Sequence, residues 1–183
     1  MPAPDPLAVY GGSFDPPHVA HALVCAYVLA AHRVDRLLIV PTAQHPFAKP
    51  LAPFEHRARM CELALRDLQR VEISRIEQSL EGPSLTLRTL EELERREPGR
   101  PLRLVVGSDL LAESHAWHRF DRIRELAPLI IVQRAGHVTD PTLPALPDIS
   151  STEARRRLRA DEPTDGLLPP EVADYARKHA LYR

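Results

Sequence analysis

Leu7-Ala8-Val9-Tyr10-Gly11-Gly12-Ser13-Phe14-Asp15-Pro16-Pro17-His18-Val19-Ala20-His21 is the stretch on which the reading of this chain turns. An apolar run over Leu7–Tyr10 reads as a strand and meets two glycines. Residues Pro17–Arg33 read as a helix, with Asp15 expected as its N-cap and Pro16 at the first helical position. The result is a strand, a tight turn and a helix N-terminus with two imidazoles at its mouth. Free N–H groups and the helix dipole both point to that mouth, so it suits an anionic phosphate. Gly11 and Gly12 lack Cβ and are expected to let the backbone approach a ligand and adopt positive φ. His18 and His21 lie three residues apart, on one helix face, and their ring N–H groups can donate to phosphate oxygens.

Outward from this segment, strand and helix patterns alternate. Further strands are expected at Arg36–Pro41, Val71–Ile76, Leu102–Val106 and Leu129–Val132. Helices are expected at Phe54–Gln69, Ser84–Arg96, Trp117–Leu126, Glu153–Arg159 and Pro170–His179. Residues 42–53 and 136–149 read as loops. Such alternation implies right-handed crossovers and a parallel sheet covered by helices on both faces, an α/β fold in a single domain over 1–183. In such sheets ligands bind outside the carboxyl ends of the strands, and the segments 10–21, 41–49, 107–109 and 133–137 all follow strands.

Composition narrows the class. The chain has 183 residues, with 24 Lys and Arg against 25 Asp and Glu. That balance gives no global attraction to nucleic acid or acidic membranes, so a phosphate site has to be local. No apolar run approaches bilayer length, and the N-terminal residues carry no basic or apolar signal region. Cys25 and Cys61 sit in apolar helical patterns without a CxxC spacing, as buried free thiols of a reducing compartment do. A cytoplasmic protein with no nucleic-acid or membrane partner is expected.

Other segments carry candidate chemistry. Lys49, in a proline-rich loop, can close over phosphates as a point charge; His45 and Arg57 are nearby alternatives. Thr86 and Thr89 stand near a helix start, where hydroxyls and free N–H groups can hold a carboxylate or an amide. Gly107 and Asp109 end a strand, and Asp109 can accept from ribose hydroxyls. Trp117 is either core or a platform for an aromatic ring. In Ile149-Ser150-Ser151-Thr152-Glu153-Ala154-Arg155, Ser151 or Thr152 is expected to cap a helix, with Arg155 one turn in, either solvated or turned to a ligand.

Together the strings GGSFDPPHVAH, PFAK, GPSLTLRTLEEL, VVGSDLLAESHAW, ISSTEARRRL and LPPEVADYARKHALY resemble the bacterial nicotinate-nucleotide adenylyltransferase family. The first carries the (H/T)xGH signature of the nucleotidylyltransferase superfamily, with Ala20 in place of the glycine. The resemblance implies a Rossmann-like fold and transfer of AMP from ATP to nicotinate mononucleotide with Mg²⁺, giving deamido-NAD and pyrophosphate. It implies phosphate contacts from His18, His21 and Arg155, helped by Ser151 and Thr152. Gly11, Gly12, Ser13 and Phe14 would line the nucleotide cleft, and Asp109 would lie near ribose. Thr86 and Trp117 would receive the pyridine ring. Two alternatives accompany it: nicotinamide mononucleotide as acceptor, and a non-catalytic nucleotide-binding module. The resemblance also allows a homo-oligomer. Leu85 and Arg88 depart from the family's usual aromatic and acidic residues.

Overall fold

The computed structural model describes residues 4–45, 49–111 and 117–183. Pro46, Phe47 and Ala48 of the PFAK string lie outside the described residues, as do 112–116 ahead of Trp117. Six strands form one sheet: β1 (Leu7–Gly12), β2 (Arg36–Pro41), β3 (Val71–Ile73), β4 (Leu102–Gly107), β5 (Leu129–Arg134) and β6 (Ala145–Leu146). Their order is β3-β2-β1-β4-β5-β6 and every pairing is parallel. The helices are α1 (Val19–Ala31), α2 (Phe54–Leu65), α3 (Thr86–Arg96), α4 (Ser108–Leu111), α5 (Phe120–Leu126), α6 (Ser151–Arg159) and α7 (Pro170–Lys178). A 3₁₀ turn spans Ile76–Ser79.

The sheet is buried on both faces, as parallel crossovers require. Alternation along β1 divides its side chains between two cores. Leu7 and Val9 join Leu87, Leu90 and Leu93 of α3 and Ile123 of α5 on one face. Ala8 joins Val24, Cys25 and Val28 of α1 and Cys61 of α2 on the other. A third cluster packs Met60 of α2 against Ala154 and Leu158 of α6 and Val172 and Ala176 of α7. Strand order reverses about β1, so the crevice between the ends of β1 and β4 is where a ligand enters such a sheet.

Several expected boundaries move. β1 runs on through Gly11 and Gly12, whose backbones are extended rather than left-handed; the positive φ falls on Phe14, at 46°. A Cβ on Gly12 would lie 3.1 Å from the Phe14 ring, so the glycine makes room for that aromatic. α1 begins two residues later than expected, because Asp15, Pro16 and Pro17 form the turn and Asp15 is drawn into the interior instead of capping. α2 stops at Leu65, β3 at Ile73 and the helix after Trp117 begins at Phe120. Part of the 136–149 loop is β6, which pairs with Gln133 and Arg134 at the sheet edge.

The loops at the ligand-facing edge are tied by Arg57, which is almost wholly buried. Its Nη1 donates to the Ser13 carbonyl at 2.8 Å, Nη2 to Thr42 at 2.7 Å and Nε to Ala52 at 2.8 Å. These groups follow β1, follow β2 and precede α2. The guanidinium is spent on them, so Arg57 is not the free cation the sequence offered as an alternative to Lys49. Replacing Arg57 by Met leaves three inward-facing carbonyls without a donor. It should cost about 3 kcal/mol of unfolding free energy in denaturant titrations. A loss below about 0.5 kcal/mol, the range of ordinary surface substitutions, would mean the loops hold without it.

Candidate active site

The phosphate mouth is assembled around the N-terminus of α1. His18 occupies the cap position: its N–H donates to His21 Nδ1 at 3.0 Å, and its carbonyl accepts the His21 N–H at 2.9 Å. Because His21 Nδ1 accepts, its proton sits on Nε2, which leaves one donor of fixed tautomer. The two imidazoles stack with centroids 3.7 Å apart, and the Phe14 ring lies 4.8 Å from His21. Phe14 therefore sets the position of the second histidine. Burial, with a smaller effect from the Arg134 charge, pushes His18 down to about 4, against a weak opposing effect of Asp148. Burial, then His18, then Arg134 hold His21 well below the ordinary imidazole range. Both rings are thus neutral donors near pH 7. His18 Nδ1 is buried without a hydrogen-bond partner among the described residues.

Arg155 reaches this mouth from α6. Its Nη1 donates to the Asp15 carbonyl at 2.6 Å and its Nη2 to Thr152 Oγ1 at 3.2 Å. The Asp15 carboxylate lies 3.9 Å from the same Nη1 and accepts the Ala52 N–H at 3.2 Å and the Tyr182 hydroxyl at 2.8 Å. Asp15 thus joins the turn, the loop before α2, the catalytic-side helix and the C-terminal segment. The helix cap is Ser150, whose hydroxyl accepts the Glu153 N–H, rather than Ser151 or Thr152. Ser151 donates its hydroxyl to the Pro16 carbonyl at 3.0 Å, which braces α6 against the turn. Arg156 and Arg157 pair with Glu153 and face away from the chemistry.

Asp109 stands at the end of β4 but not alone. Arg134 Nη1 donates to its Oδ2 at 2.7 Å, and Arg134 Nη2 donates to Asp148 Oδ1 at 2.8 Å and the Ile149 carbonyl at 3.0 Å. Asp109 Oδ1 is buried and unpaired among the described residues. It lies only 2.3 Å from where a Cβ on Gly107 would be, so only glycine leaves this carboxylate its place. Sequence reading passed over Arg134; its position as the last residue of a parallel strand was the signal that could have found it.

The opposite wall begins at α3. Leu85 is its N-cap and supplies no side-chain acceptor, and no acidic residue occupies the first turn. The N-terminal N–H groups beside Thr86 therefore face the cleft with no carboxylate of the helix's own first turn against them. Trp117 is half-buried, meets Phe120 edge-on at 5.8 Å and packs against the α3 and α5 core while lining the cleft. It belongs partly to the core and partly to the cleft wall. Lys49 is exposed at the rim, and His45 is lowered by burial and by the Lys49 charge. Glu77 and Ser84, also unforeseen, tie this wall together from behind. All these groups share one cleft of about 630 Å³, a size typical of small-molecule sites. Ala20 lines it and is buried.

The chain matches the cytidylyltransferase-like family over residues 9–157. It is 47% identical over 180 residues to a probable nicotinate-nucleotide adenylyltransferase of Anaeromyxobacter dehalogenans, covering 97% of this chain and 96% of the relative. It is 36% identical to a protein of the same description from Thermus thermophilus, with 97% and 99% covered. In fold it is similar to a Plasmodium falciparum nicotinic acid mononucleotide adenylyltransferase solved with NaAD, with a TM-score of 0.85, 22% identity and 97% of each chain covered.

The depressed histidines make stability depend on pH in one direction. Above the ordinary value of 6.5, His18 is neutral folded and unfolded and nothing is lost. Below it the unfolded chain takes a proton that the folded state refuses, until the folded group protonates near 4. Unfolding free energy should therefore fall by about 1.4 kcal/mol per pH unit for this group across that window. His18→Asn should flatten the slope in denaturant titrations at stepped pH. An unchanged slope would remove His18 as its source.

Proposed function

The chain belongs to the nicotinate-nucleotide adenylyltransferase family, and we propose that it joins the AMP moiety of ATP to nicotinate mononucleotide, giving deamido-NAD and pyrophosphate. The observation that carries this reading is the single cleft, with a histidine–arginine phosphate mouth on one wall and a helix N-terminus beside Trp117 on the other.

The chemistry asks little covalently of the protein. A phosphate oxygen of the mononucleotide attacks the α-phosphorus of ATP. The new P–O bond forms as the bond to the bridging oxygen breaks, and pyrophosphate leaves with the electron pair. Two polyanions must be brought into line, so positioning and charge neutralisation supply the rate. In our reading the Nε2–H of His21 and the His18 imidazole donate to the phosphates, and Arg155 brings the full positive charge. The Gly11–Phe14 backbone forms the edge along which the nucleotide lies. Asp109, oriented by Arg134, receives ribose hydroxyls. Ser151 and Thr152 act mainly through Pro16 and Arg155, which they hold.

Among the described residues no group of three His, Cys, Asp or Glu side chains is placed to hold a metal ion. Mg²⁺, which the family resemblance implies, would enter with the ATP substrate and offset the charge of its phosphates. No described helix is long and apolar enough to cross a membrane. Both cysteines are free and buried, as suits the reducing cytoplasm in which we place the enzyme.

On the acceptor wall, the carboxylate of the pyridine ring would meet the α3 N-terminus and Thr86. A helix N-terminus favours an anion over a neutral amide by about 0.3–1 kcal/mol at exposed sites and up to about 2 where partly buried. Arg88 lies in the same first turn and adds positive charge. Lys49 sits at the rim, where it can reach the mononucleotide phosphate.

Pyrophosphate release should be measured with ATP and each of nicotinate and nicotinamide mononucleotide at matched concentrations. Nicotinate mononucleotide should give the higher kcat/KM; a preference for the amide would reassign the acceptor, and no release with either would overturn the reading. His18→Ala should lower kcat about 10²–10³-fold, the usual cost of one preorganised donor, with the circular dichroism spectrum retained. Near-parental turnover would take His18 out of the mechanism.

A further inference from the structure

Glu77 is a buried carboxylate whose hydrogen-bonding partners are both neutral. Its Oε2 accepts the Ala43 N–H at 2.9 Å and its Oε1 accepts the Thr89 hydroxyl at 3.0 Å. Only 8% of it is exposed, and among the described residues it forms no ion pair. Burying a carboxylate on these terms carries a desolvation penalty that an apolar residue would not incur.

Its position gives the charge a use. The 3₁₀ turn that carries Glu77 lies behind the segment leaving β2. That segment has no regular structure from Thr42 to His45, and it leads to Lys49. Ser84 completes the fastening: its Oγ accepts the Ala43 N–H at 3.1 Å and the Gln44 N–H at 3.1 Å, and its own N–H donates to the Gln44 carbonyl at 2.9 Å. Thr89 lies one turn into α3, below Thr86. Glu77 therefore holds with one oxygen the loop that presents His45 and with the other the helix whose N-terminus faces the cleft. The phosphate mouth is pinned through Asp15, Arg57 and Arg155, and Arg57 also holds the Thr42 carbonyl where the β2 loop begins; the tie from that loop to α3 is made by Glu77.

We propose that Glu77 is a positioning residue for the acceptor half of the site: by clamping Ala43 to Thr89 it sets the spacing between the β2 loop and the α3 N-terminus, and so the affinity for the pyridine mononucleotide. This rests on the adenylyl-transfer reading above. The side chain does not touch the reacting atoms; it acts through the two elements it joins. A displacement of about 1 Å at such a site can cost on the order of 100-fold.

The test is steady-state kinetics of the full chain with ATP and nicotinate mononucleotide varied in turn, for Glu77→Ala, Glu77→Gln and Thr89→Val. Glu77→Ala should raise KM for the mononucleotide about tenfold or more, with KM for ATP changed less than about twofold. Glu77→Gln should recover most of this. Its amide oxygen still accepts the Ala43 N–H, and its NH₂ donates to Thr89 Oγ1. Thr89→Val should raise the same KM by less and be non-additive with Glu77→Ala, because both cut one link. Equal rises in both KM values, a glutamine variant as impaired as the alanine one, or parental kinetics in Glu77→Ala would each overturn the proposal. If Glu77→Ala does not fold, the glutamine and valine variants decide it alone. A parent chain that transfers nothing to the mononucleotide would overturn the adenylyl-transfer reading and this inference together. An active parent with unsplit KM values would overturn this inference only.

Discussion

A ligand-facing sheet edge has to stay open, so it cannot be held by packing. Here it is held by two buried ions. Arg57 supplies donors to the carbonyls of Ser13, Thr42 and Ala52, and Asp15 supplies acceptors to the Ala52 N–H and the Tyr182 hydroxyl. Ala52 is shared, its carbonyl on one ion and its N–H on the other. Each ion lies in the other's field: the Asp15 charge favours the charged form of Arg57, against burial. Loop carbonyls that would otherwise point into a dry interior are satisfied, and the cleft above them is left free of protein side chains. A hydrophobic plug of the same volume would satisfy none of those backbone groups.

The same economy governs charge within the cleft. Two imidazoles stacked 3.7 Å apart beside a fixed guanidinium cannot both be cations. Burial and Arg134 keep them neutral, and permanent charge is left to arginines whose orientation is fixed by carboxylates and carbonyls. Arg134 is already paired with two carboxylates, Asp109 and Asp148, so it orients more than it attracts. Arg155 is less compensated, with its nearest carboxylate oxygen at 3.9 Å. The field that meets an incoming polyphosphate is thus concentrated on one side chain and on the donors of the α1 N-terminus.

What could be read from the sequence follows from how local its cause is. Strand and helix alternation fixed the α/β class, since period-two and period-3.6 patterns depend on neighbours in the chain. β2 was placed to the residue, being a continuous apolar run. His18 and His21 lie in one contiguous string and Arg155 in another, so each is legible as a candidate from its neighbours, and the three line one cleft. The capping role of Asp15 was misjudged because its real partners, Ala52 and Tyr182, are 37 and 167 residues away. Arg57 was read as a free cation for the same reason. Arg134 lies in a segment that the strand pattern sets at the ligand-facing edge, but its partners Asp109 and Asp148 come from elsewhere in the chain, and nothing beside Glu77 signals a carboxylate turned inward. β6 is two residues long and leans on Arg134, too short for any periodicity to register.

The two halves of the cleft therefore differ in how they are built. The phosphate half is closed by ions reaching across most of the chain, from Asp15 to Tyr182 and from Arg155 back to Asp15. The acceptor half is held by Glu77, Ser84 and Thr89, with Glu77 and Ser84 stitched onto the β2 loop across 34 and 41 residues of sequence. Departures from the family pattern fall where that difference permits them. In the phosphate half the one change, Ala20, adds a single methyl to the cleft lining. In the acceptor half Leu85 and Arg88 are larger changes, yet they sit at the start of α3, whose own first turn carries no acidic residue. Backbone N–H groups recognise a carboxylate whatever side chains flank them. Preference for an anionic pyridine can consequently survive substitution of the side chains around it, provided the helix is held at the right distance from the loop.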